Sequence, residues 1–165
     1  MTKTMHDSET PAKGQQVIVA CALIHHNFDG VEKVFLPKRA DTKKFMPGVY
    51  ELPGGHVDFG EDIVAGLKRE LLEEFSKRIA VGDPFAAFTY KNDVKASHSI
   101  EVVYFAQLED GVDNVEIHLE DHSGYDWFSE AELAKMLVGS KTENDKEYQL
   151  IRRAFKLLNG GSPKF

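Results

Sequence analysis

Three glutamates, Glu70, Glu73 and Glu74, have the residue type and the spacing to bind a metal ion. If this stretch is helical, side chains three and four residues apart share one flank. Like charges at that spacing repel, so the cluster is costly unless a cation neutralises it. Carboxylate oxygens are hard ligands that suit Mg²⁺ or Mn²⁺. The alternative is an acidic helix face that is exposed to water.

The neighbouring residues predict the helix that would position these glutamates. Apolar residues recur at helical spacing and form a stripe for the core, namely Val64, Leu67, Leu71 and Phe75. Asp62 stands just before the stripe as an N-cap, so we expect the helix to begin at residue 63. A glycine-rich loop that contains Gly54 and Gly55 precedes it.

The loop and the helix together resemble the Nudix box, G-x5-E-x7-R-E-U-x-E-E-x-G-U, in which U is a bulky aliphatic residue. Gly55 is followed at the required distances by Glu61, at the helix start, and by Arg-Glu-Leu-Leu-Glu-Glu at residues 69–74. Two later positions depart from the pattern. Ser76 stands where the family has glycine, and Lys77 stands where it has an aliphatic residue.

The departure at Ser76 affects the predicted end of the helix. Left-handed backbone geometry costs a serine about 1 kcal/mol or more that a glycine avoids. We therefore expect the helix to continue to residue 78 and to stop at residues 82–84, a Gly-Asp-Pro sequence. Gly66, in the middle of the helix, is expected to let the loop at Gly54 and Gly55 approach closely.

The resemblance extends beyond the box. Residues 48–55 resemble the family's approach to the box, with Tyr50 in place of the usual tryptophan, and residues 125–133 resemble the close of a Nudix domain. The resemblance implies an α/β fold, the Nudix α/β/α sandwich with a mixed central sheet, in a single domain. We expect that domain at residues 15–158, between disordered tails at residues 1–14 and 159–165.

The remaining elements follow from periodicity and capping. Apolar and alternating runs predict strands at residues 16–26, 31–37, 85–91, 97–107, 115–119 and 126–128. Residues 120–125 are expected to be a loop. Helices are predicted at residues 130–137, where Ser129 and Glu132 form a capping box, and at residues 146–158.

Nudix hydrolases cleave a nucleoside diphosphate linked to another group X, by attack of water on phosphorus. The resemblance therefore implies a divalent cofactor, Mg²⁺ or Mn²⁺. Glu70 and Glu74 are the expected ligands, with Glu73 as a third ligand or one that acts through water. The family's loop also gives a backbone carbonyl to the metal, which falls on Gly54, with Gly55 as the alternative.

Two arginines are candidates for the same site. Arg69 lies four residues before Glu73 and can fix its carboxylate, whereas the alternative is a surface ion pair worth a few tenths of a kcal/mol. The catalytic set is then Glu73, Arg69 and Glu70. Arg39 follows the second predicted strand, where the family often places an arginine near the substrate; a structural ion pair is the alternative. Arg39, Gly54 and Gly55 form the expected substrate-binding set.

The general base has several candidates. Family members use either a glutamate of the box or a carboxylate from a distant loop. Here the first is Glu73, and the others are Glu120, Asp121 and Asp126 in the stretch before Trp127. Asp126 matches a position where some relatives carry an extra metal-binding glutamate. Its side chain is one methylene shorter, and a surface role is the alternative.

Composition limits the classes of protein. A chain of 165 residues suits one domain, and its net charge of −7 argues against binding of long nucleic acids or acidic membranes. The single cysteine, Cys21, lies in an apolar run and suits a buried thiol in a reducing compartment. No apolar stretch approaches the roughly 18 residues of a membrane span. We expect a cytoplasmic monomer or homodimer with a small nucleotide substrate.

Three functions are compatible with these residues. The first is a Mg²⁺-dependent pyrophosphohydrolase that cleaves a (d)NTP or a similar small nucleotide. The second is a pyrophosphatase for ADP-ribose or a nucleotide sugar. The third is a non-catalytic nucleotide-binding or regulatory Nudix domain, although such domains usually lose box carboxylates and all three are present here. Three aromatic residues, Phe45, Phe88 and Tyr90, either stack on a base or belong to the core.

Overall fold

The computed structural model describes residues 9–161, which form a mixed six-stranded sheet with three helices. The strands are β1 (Gln16–Phe28), β2 (Val31–Arg39), β3 (Gly54–His56), β4 (Ile79–Asn92), β5 (Ser97–Leu108) and β6 (His122–Ser129). The helices are α1 (Ile63–Phe75), a 3-10 helix (Glu130–Met136) and α2 (Lys146–Leu158). The predicted single-domain α/β fold with a mixed central sheet is confirmed.

Strand β1 lies at the centre of the sheet. The strand order is β4-β5-β1-β2-β6, and β3 pairs with β1 outside this path. The β1–β5 pair is parallel, whereas β1 is antiparallel to β2 and β3. A strand that is covered on both faces needs apolar residues at every position, which is why β1 reads as a continuous apolar run.

The two faces of β1 pack against different helices. On one face, Ala20, Ala22 and Ile24 pack with the apolar stripe of α1, which contains Leu67, Leu71 and Phe75. On the other face, Val19, Cys21 and Leu23 pack with Ile151, Ala154 and Phe155 of α2. The alternation follows from the two-residue period of a strand. It produces the three layers of the sandwich.

The predicted end of α1 is wrong. The helix ends at Phe75, because Ser76 adopts left-handed geometry with φ of 51°. Its amide donates to Leu72 O at 3.1 Å, and its hydroxyl donates to Glu116 Oε2 at 2.7 Å. These bonds offset the conformational cost. Lys77 is buried, and its amino group donates to the carbonyl oxygens of Gly111 and Asp113.

Several other boundaries differ from the prediction. Residues 115–119 form no strand; instead the amide of Glu116 donates to Phe75 O at 3.2 Å, so this segment closes the end of α1. Strand β6 begins at His122, within the predicted loop, because it pairs with β2 as far as Arg39. Strand β4 begins at Ile79, and residues 82–84 lie at an irregularity inside it.

The helix predicted at residues 130–137 is the 3-10 helix, and its capping box is confirmed. Ser129 N and Ser129 Oγ both donate to Glu132 Oε2, at 3.1 and 3.0 Å. Asp62 is the N-cap of α1, as predicted, and accepts from Ala65 N at 2.9 Å. Helix α2 has the predicted bounds. No helix among residues 9–161 is long and apolar enough to cross a membrane.

Part of the predicted N-terminal tail is attached to the domain. Ala12 is buried and its amide donates to Lys95 O at 2.9 Å, and Gly14 N donates to Ala96 O at 2.9 Å. Residues 1–8 and 162–165, which make up most of the two predicted tails, lie outside the described residues.

Candidate active site

Most of the predicted site residues meet at one cavity of about 260 Å³. Helix α1 contributes one flank of side chains, β3 contributes its glycines, and the end of β2 contributes an arginine. The predicted residues that line the cavity are Gly54, Gly55, Glu70, Glu73, Glu74, Arg69 and Arg39. The helix therefore presents its acidic flank to this cavity.

Strand β3 brings the glycine loop against both β1 and α1. Cys21 and Ala20 of β1 pair with Gly54 and Gly55. A Cβ atom on Gly54 would lie 2.1 Å from Ala20 O, and one on Gly55 would lie 2.4 Å from Glu70 Oε2. Only glycine permits this approach from both sides. Gly66 does not have the role that was predicted for it. A Cβ atom at Gly66 would meet the Glu61 carboxylate at 2.9 Å, so this glycine makes room for Glu61 and not for the loop at Gly54 and Gly55.

Arg69 is the centre of a network of carboxylates. Its Nε donates to Glu61 Oε1 at 2.7 Å, and its Nη1 donates to Glu70 Oε1 at 2.6 Å and to Glu73 Oε2 at 3.2 Å. Its Nη2 donates to His56 O at 3.1 Å. The hydrogen bonds to the carboxylates raise the pKa of Arg69, and the bond to Glu61 has the largest effect. The predicted contact with Glu73 is present, and Arg69 also joins the helix to the loop.

Glu61 closes the turn that leads into α1. Its Oε2 accepts from Asp58 N at 2.9 Å and from Arg69 Nη2 at 3.0 Å. Because Glu61 does not line the cavity itself, its contacts assign it a positioning role. It holds Arg69 in the orientation that reaches the glutamates.

The carboxylates of Glu70 and Glu74 are poorly solvated. Desolvation, reinforced by Glu70 and Glu51, raises the pKa of Glu74 well above its usual range. Desolvation also raises the pKa of Glu70, although Arg69 partly opposes this. Glu73 is more exposed, with 42% of its side-chain surface accessible. Two desolvated carboxylates beside each other form a place where a cation would be stabilised.

No group of three His, Cys, Asp or Glu side chains among residues 9–161 is arranged closely enough to hold a metal ion. The donor set nevertheless fits a hard divalent cation, because it consists of carboxylate oxygens and a backbone carbonyl. The two raised pKa values support the same conclusion, since a cation would relieve the electrostatic cost of both ionised groups.

Arg39 is both an ion-pair partner and a residue of the cavity. It is buried; its Nε donates to Phe45 O at 2.9 Å and its Nη1 lies 3.4 Å from Glu51 Oε2. His122 Nε2 lies 3.0 Å from Glu51 Oε1. Burial raises the pKa of Glu51, but the hydrogen bond from His122 and the charge of Arg39 outweigh it and lower the pKa.

The candidate carboxylates near β6 divide into two groups. Asp121 lines the cavity and lies 2.7 Å from Lys43 Nζ. Asp126 is exposed, and its Oδ2 accepts from the Tyr50 hydroxyl at 2.6 Å. Glu120 is exposed in a turn. Neither Asp126 nor Glu120 lines the cavity, so the structure does not bring these two to the glutamates of α1.

A second set of charged cavity residues was not predicted from the sequence. Lys141 Nζ lies 3.1 Å from Asp145 and 2.9 Å from Glu147, and Glu147 Oε2 accepts from Leu52 N at 3.3 Å. Glu101 of β5 is buried and lines the cavity too. Its position gave a signal, because a glutamate within an apolar strand demands an explanation.

Comparison with known proteins identifies the family. The model of the NUDIX domain family matches residues 15–153. The chain also resembles the nucleoside triphosphatase NudI of Salmonella paratyphi B, with 32% identity over 127 residues, 73% of this chain and 86% of the relative. The chain therefore belongs to the NUDIX family.

Solved structures share its fold. The MutT protein of Methanosarcina mazei Go1 matches with a TM-score of 0.66 and 24% identity, over 92% of this chain and 98% of that chain. A C. elegans Ap4A hydrolase in a binary complex matches with a TM-score of 0.70 and 22% identity, over 87% and 98%. The fold is thus that of a MutT-like Nudix domain. The chain is a Nudix hydrolase, an enzyme of the class that acts on phosphoric anhydride bonds.

Proposed function

We propose that the protein is a Mg²⁺- or Mn²⁺-dependent pyrophosphohydrolase that cleaves a (d)NTP or a similar small nucleotide. The observation that carries this proposal is that Arg69 and the three glutamates of the acidic flank of α1, Glu70, Glu73 and Glu74, line one cavity. The similarity to a nucleoside triphosphatase favours a nucleoside triphosphate over ADP-ribose or a nucleotide sugar. A non-catalytic domain would have no need for the complete carboxylate set.

Glu70, Glu74 and the carbonyl of Gly54 would hold the cation, with Glu73 as a further ligand. When bound, the cation would neutralise phosphate oxygens and lower the pKa of water. Arg69 fixes the carboxylates of Glu70 and Glu73 before substrate binds, so their orientation costs little at the moment of reaction.

The attacking water must lose a proton to a nearby base. Glu73 suits this role because its carboxylate is at the cavity, is more exposed than Glu70, and is oriented by Arg69. Asp121 is the alternative, since it also lines the cavity. Arg39, with the backbone of Gly54 and Gly55, lies where it can contact the phosphates of a substrate.

The test is a panel of nucleotides with Mg²⁺, in which wild type is compared with Glu74→Gln. Loss of a residue that hydrogen-bonds to a metal ligand typically lowers activity by roughly 10- to 100-fold. Because Glu74 is proposed as a ligand itself, we expect a larger fall in kcat. Glu143→Gln, in an exposed loop outside the cavity, is the matched control and keeps wild-type rates. Equal rates in wild type and Glu74→Gln would exclude Glu74 as a ligand. No hydrolysis of any compound by wild type would contradict the substrate class.

A further inference from the structure

Part of the cavity is unlike the acidic flank of α1. This part, which we call the β5 pocket, is lined by Cys21, Phe88, Tyr90, Glu101, Lys141 and Glu147. It adjoins the carboxylate site through β1, because Cys21 pairs with Gly54. A ligand held at the glycine loop could therefore extend into the β5 pocket.

Glu101 and the aromatic residues lie on one face of the sheet. Phe88 of β4 and Val19 of β1 are both direct partners of Glu101. Directly paired residues point to the same side, and so does Tyr90, two residues after Phe88. The Phe88 and Tyr90 rings lie 6.1 Å apart, and Phe45 stacks on Tyr90 with ring centroids 6.2 Å apart. Flat apolar surface thus stands beside a buried carboxyl group.

One oxygen of Glu101 has no partner in the described part of the chain. Glu101 is only 3% exposed, and no hydrogen-bonding group among residues 9–161 reaches its Oε1. Lys141, the cation of the same pocket, is engaged by Asp145 and Glu147. Because a buried polar atom without a partner is costly, such an atom at a cavity points to a ligand.

The chemistry of the β5 pocket suits a nucleobase better than a phosphate. Its one lysine, Lys141, is already paired with Asp145 and Glu147, so the pocket offers a phosphate no available positive charge. A base offers a flat face for stacking and polar edge atoms for hydrogen bonding. Desolvation, followed by the Glu147 charge, raises the pKa of Glu101 well above its usual range. A neutral carboxyl group can donate to or accept from such an edge.

We propose that Glu101 determines the base specificity of this enzyme, by a hydrogen bond from its Oε1 to the edge of a nucleobase that packs on Phe88 and Tyr90. This assignment rests on the proposed function, because it takes a nucleotide as the ligand. It makes Glu101 a contact residue for the substrate that does not take part in the attack on phosphorus.

The experiment measures binding of CMP, UMP, AMP and GMP to metal-free protein by calorimetry, and kcat/KM for the matching triphosphates with Mg²⁺. Glu101→Met keeps the length of the side chain without its hydrogen-bonding group. In this variant, the ratio of affinities and of kcat/KM values between the best and the worst base should shrink by about tenfold or more. Glu101→Leu is the second apolar variant, in case methionine disturbs folding. Glu101→Gln should retain more of the ratio.

The control is Ser97→Ala, which removes another buried polar atom of β5 outside the cavity and should leave the ratios unchanged. Unchanged base ratios in the Met and Leu variants would overturn the assignment, and so would an equal loss for all four bases. Because binding is measured without turnover, a wild type that ranks the bases but hydrolyses none would contradict only the proposed function.

Discussion

Arg69 Nη1 donates to Glu70 Oε1 at 2.6 Å, a shorter distance than the 3.2 Å that separates it from Glu73 Oε2. Arg69 therefore orients Glu70, its neighbour in the chain, as well as Glu73, which lies four residues later. Three carboxylates and the carbonyl of His56 share its five donors. A point charge could not satisfy this arrangement, since it needs the planar fork of a guanidinium group.

Arg69→Lys is consequently expected to lower kcat by about 10- to 100-fold, because lysine cannot orient several carboxylates at once. The measurement is steady-state hydrolysis of the best nucleotide of the panel. Arg78→Lys is the control, because Arg78 is an exposed arginine bound to Asp110, and it should change kcat by less than about twofold. Wild-type kcat in Arg69→Lys would show that the network is not needed for turnover.

Gly55→Ala is expected to impair the site without unfolding the protein. The new methyl group would lie 2.4 Å from Glu70 Oε2 and 2.8 Å from Glu70 Cγ, so the glutamate must move. We expect weaker Mg²⁺ activation, measured as a higher Mg²⁺ concentration for half-maximal rate. Gly124→Ala, where a Cβ meets nothing within 4 Å, should behave as wild type. A normal Mg²⁺ dependence in Gly55→Ala would mean that Glu70 has room to shift.

Glu101 should make stability depend on pH. Its pKa is raised in the folded protein, so its contribution is fully present below the unfolded value of about 4.5 and is lost as pH rises toward the folded value. Glutamine does not titrate. The free energy of unfolding of Glu101→Gln, relative to wild type, should therefore rise from about pH 5 to about pH 8 in urea titrations.

Glu143→Gln, an exposed change of the same kind, should follow the wild-type pH profile. A constant difference between Glu101→Gln and wild type across this range would mean that Glu101 is ionised in the folded protein at every pH tested.

The end of α1 can be tested at Ser76. Glycine and alanine both remove the hydroxyl that binds Glu116, but only glycine relieves the left-handed backbone at this position. Ser76→Gly should thus be more stable than Ser76→Ala by about 1 kcal/mol in the free energy of unfolding. Urea denaturation of both variants measures this difference. Equal stabilities would show that Ser76 carries little strain.

Local sequence patterns predicted the parts of the fold that depend on local physics. The bounds of α2, the start of α1 at Asp62 and the acidic flank of α1 follow from helical periodicity and capping. The core strand β1 follows from its apolar run. Arg69, Glu70, Glu73 and Glu74 meet at one cavity because spacing along a helix fixes which side chains share a flank.

The errors arose where distant residues decide the outcome. Serine at position 76 was expected to continue the helix, but Glu116, 40 residues later, binds its hydroxyl. The segment 115–119 has strand-like alternation, yet its amide at Glu116 bonds to the helix end. Glu101 entered the site through its place in the assembled sheet, and Lys141 through the loop before α2; spacing along the chain reveals neither.

The bond from Leu52 N to Glu147 Oε2 has a mechanical consequence. Leu52 lies two residues before Gly54, and Glu147 lies in the first turn of α2. The last helix therefore restrains the segment that leads to the expected metal-binding carbonyl. Fraying of α2 at its first turn would break this bond and loosen the segment before Gly54, although β3, which contains Gly54, would stay paired with β1. Catalytic competence would then be lost at a lower temperature than the sheet itself.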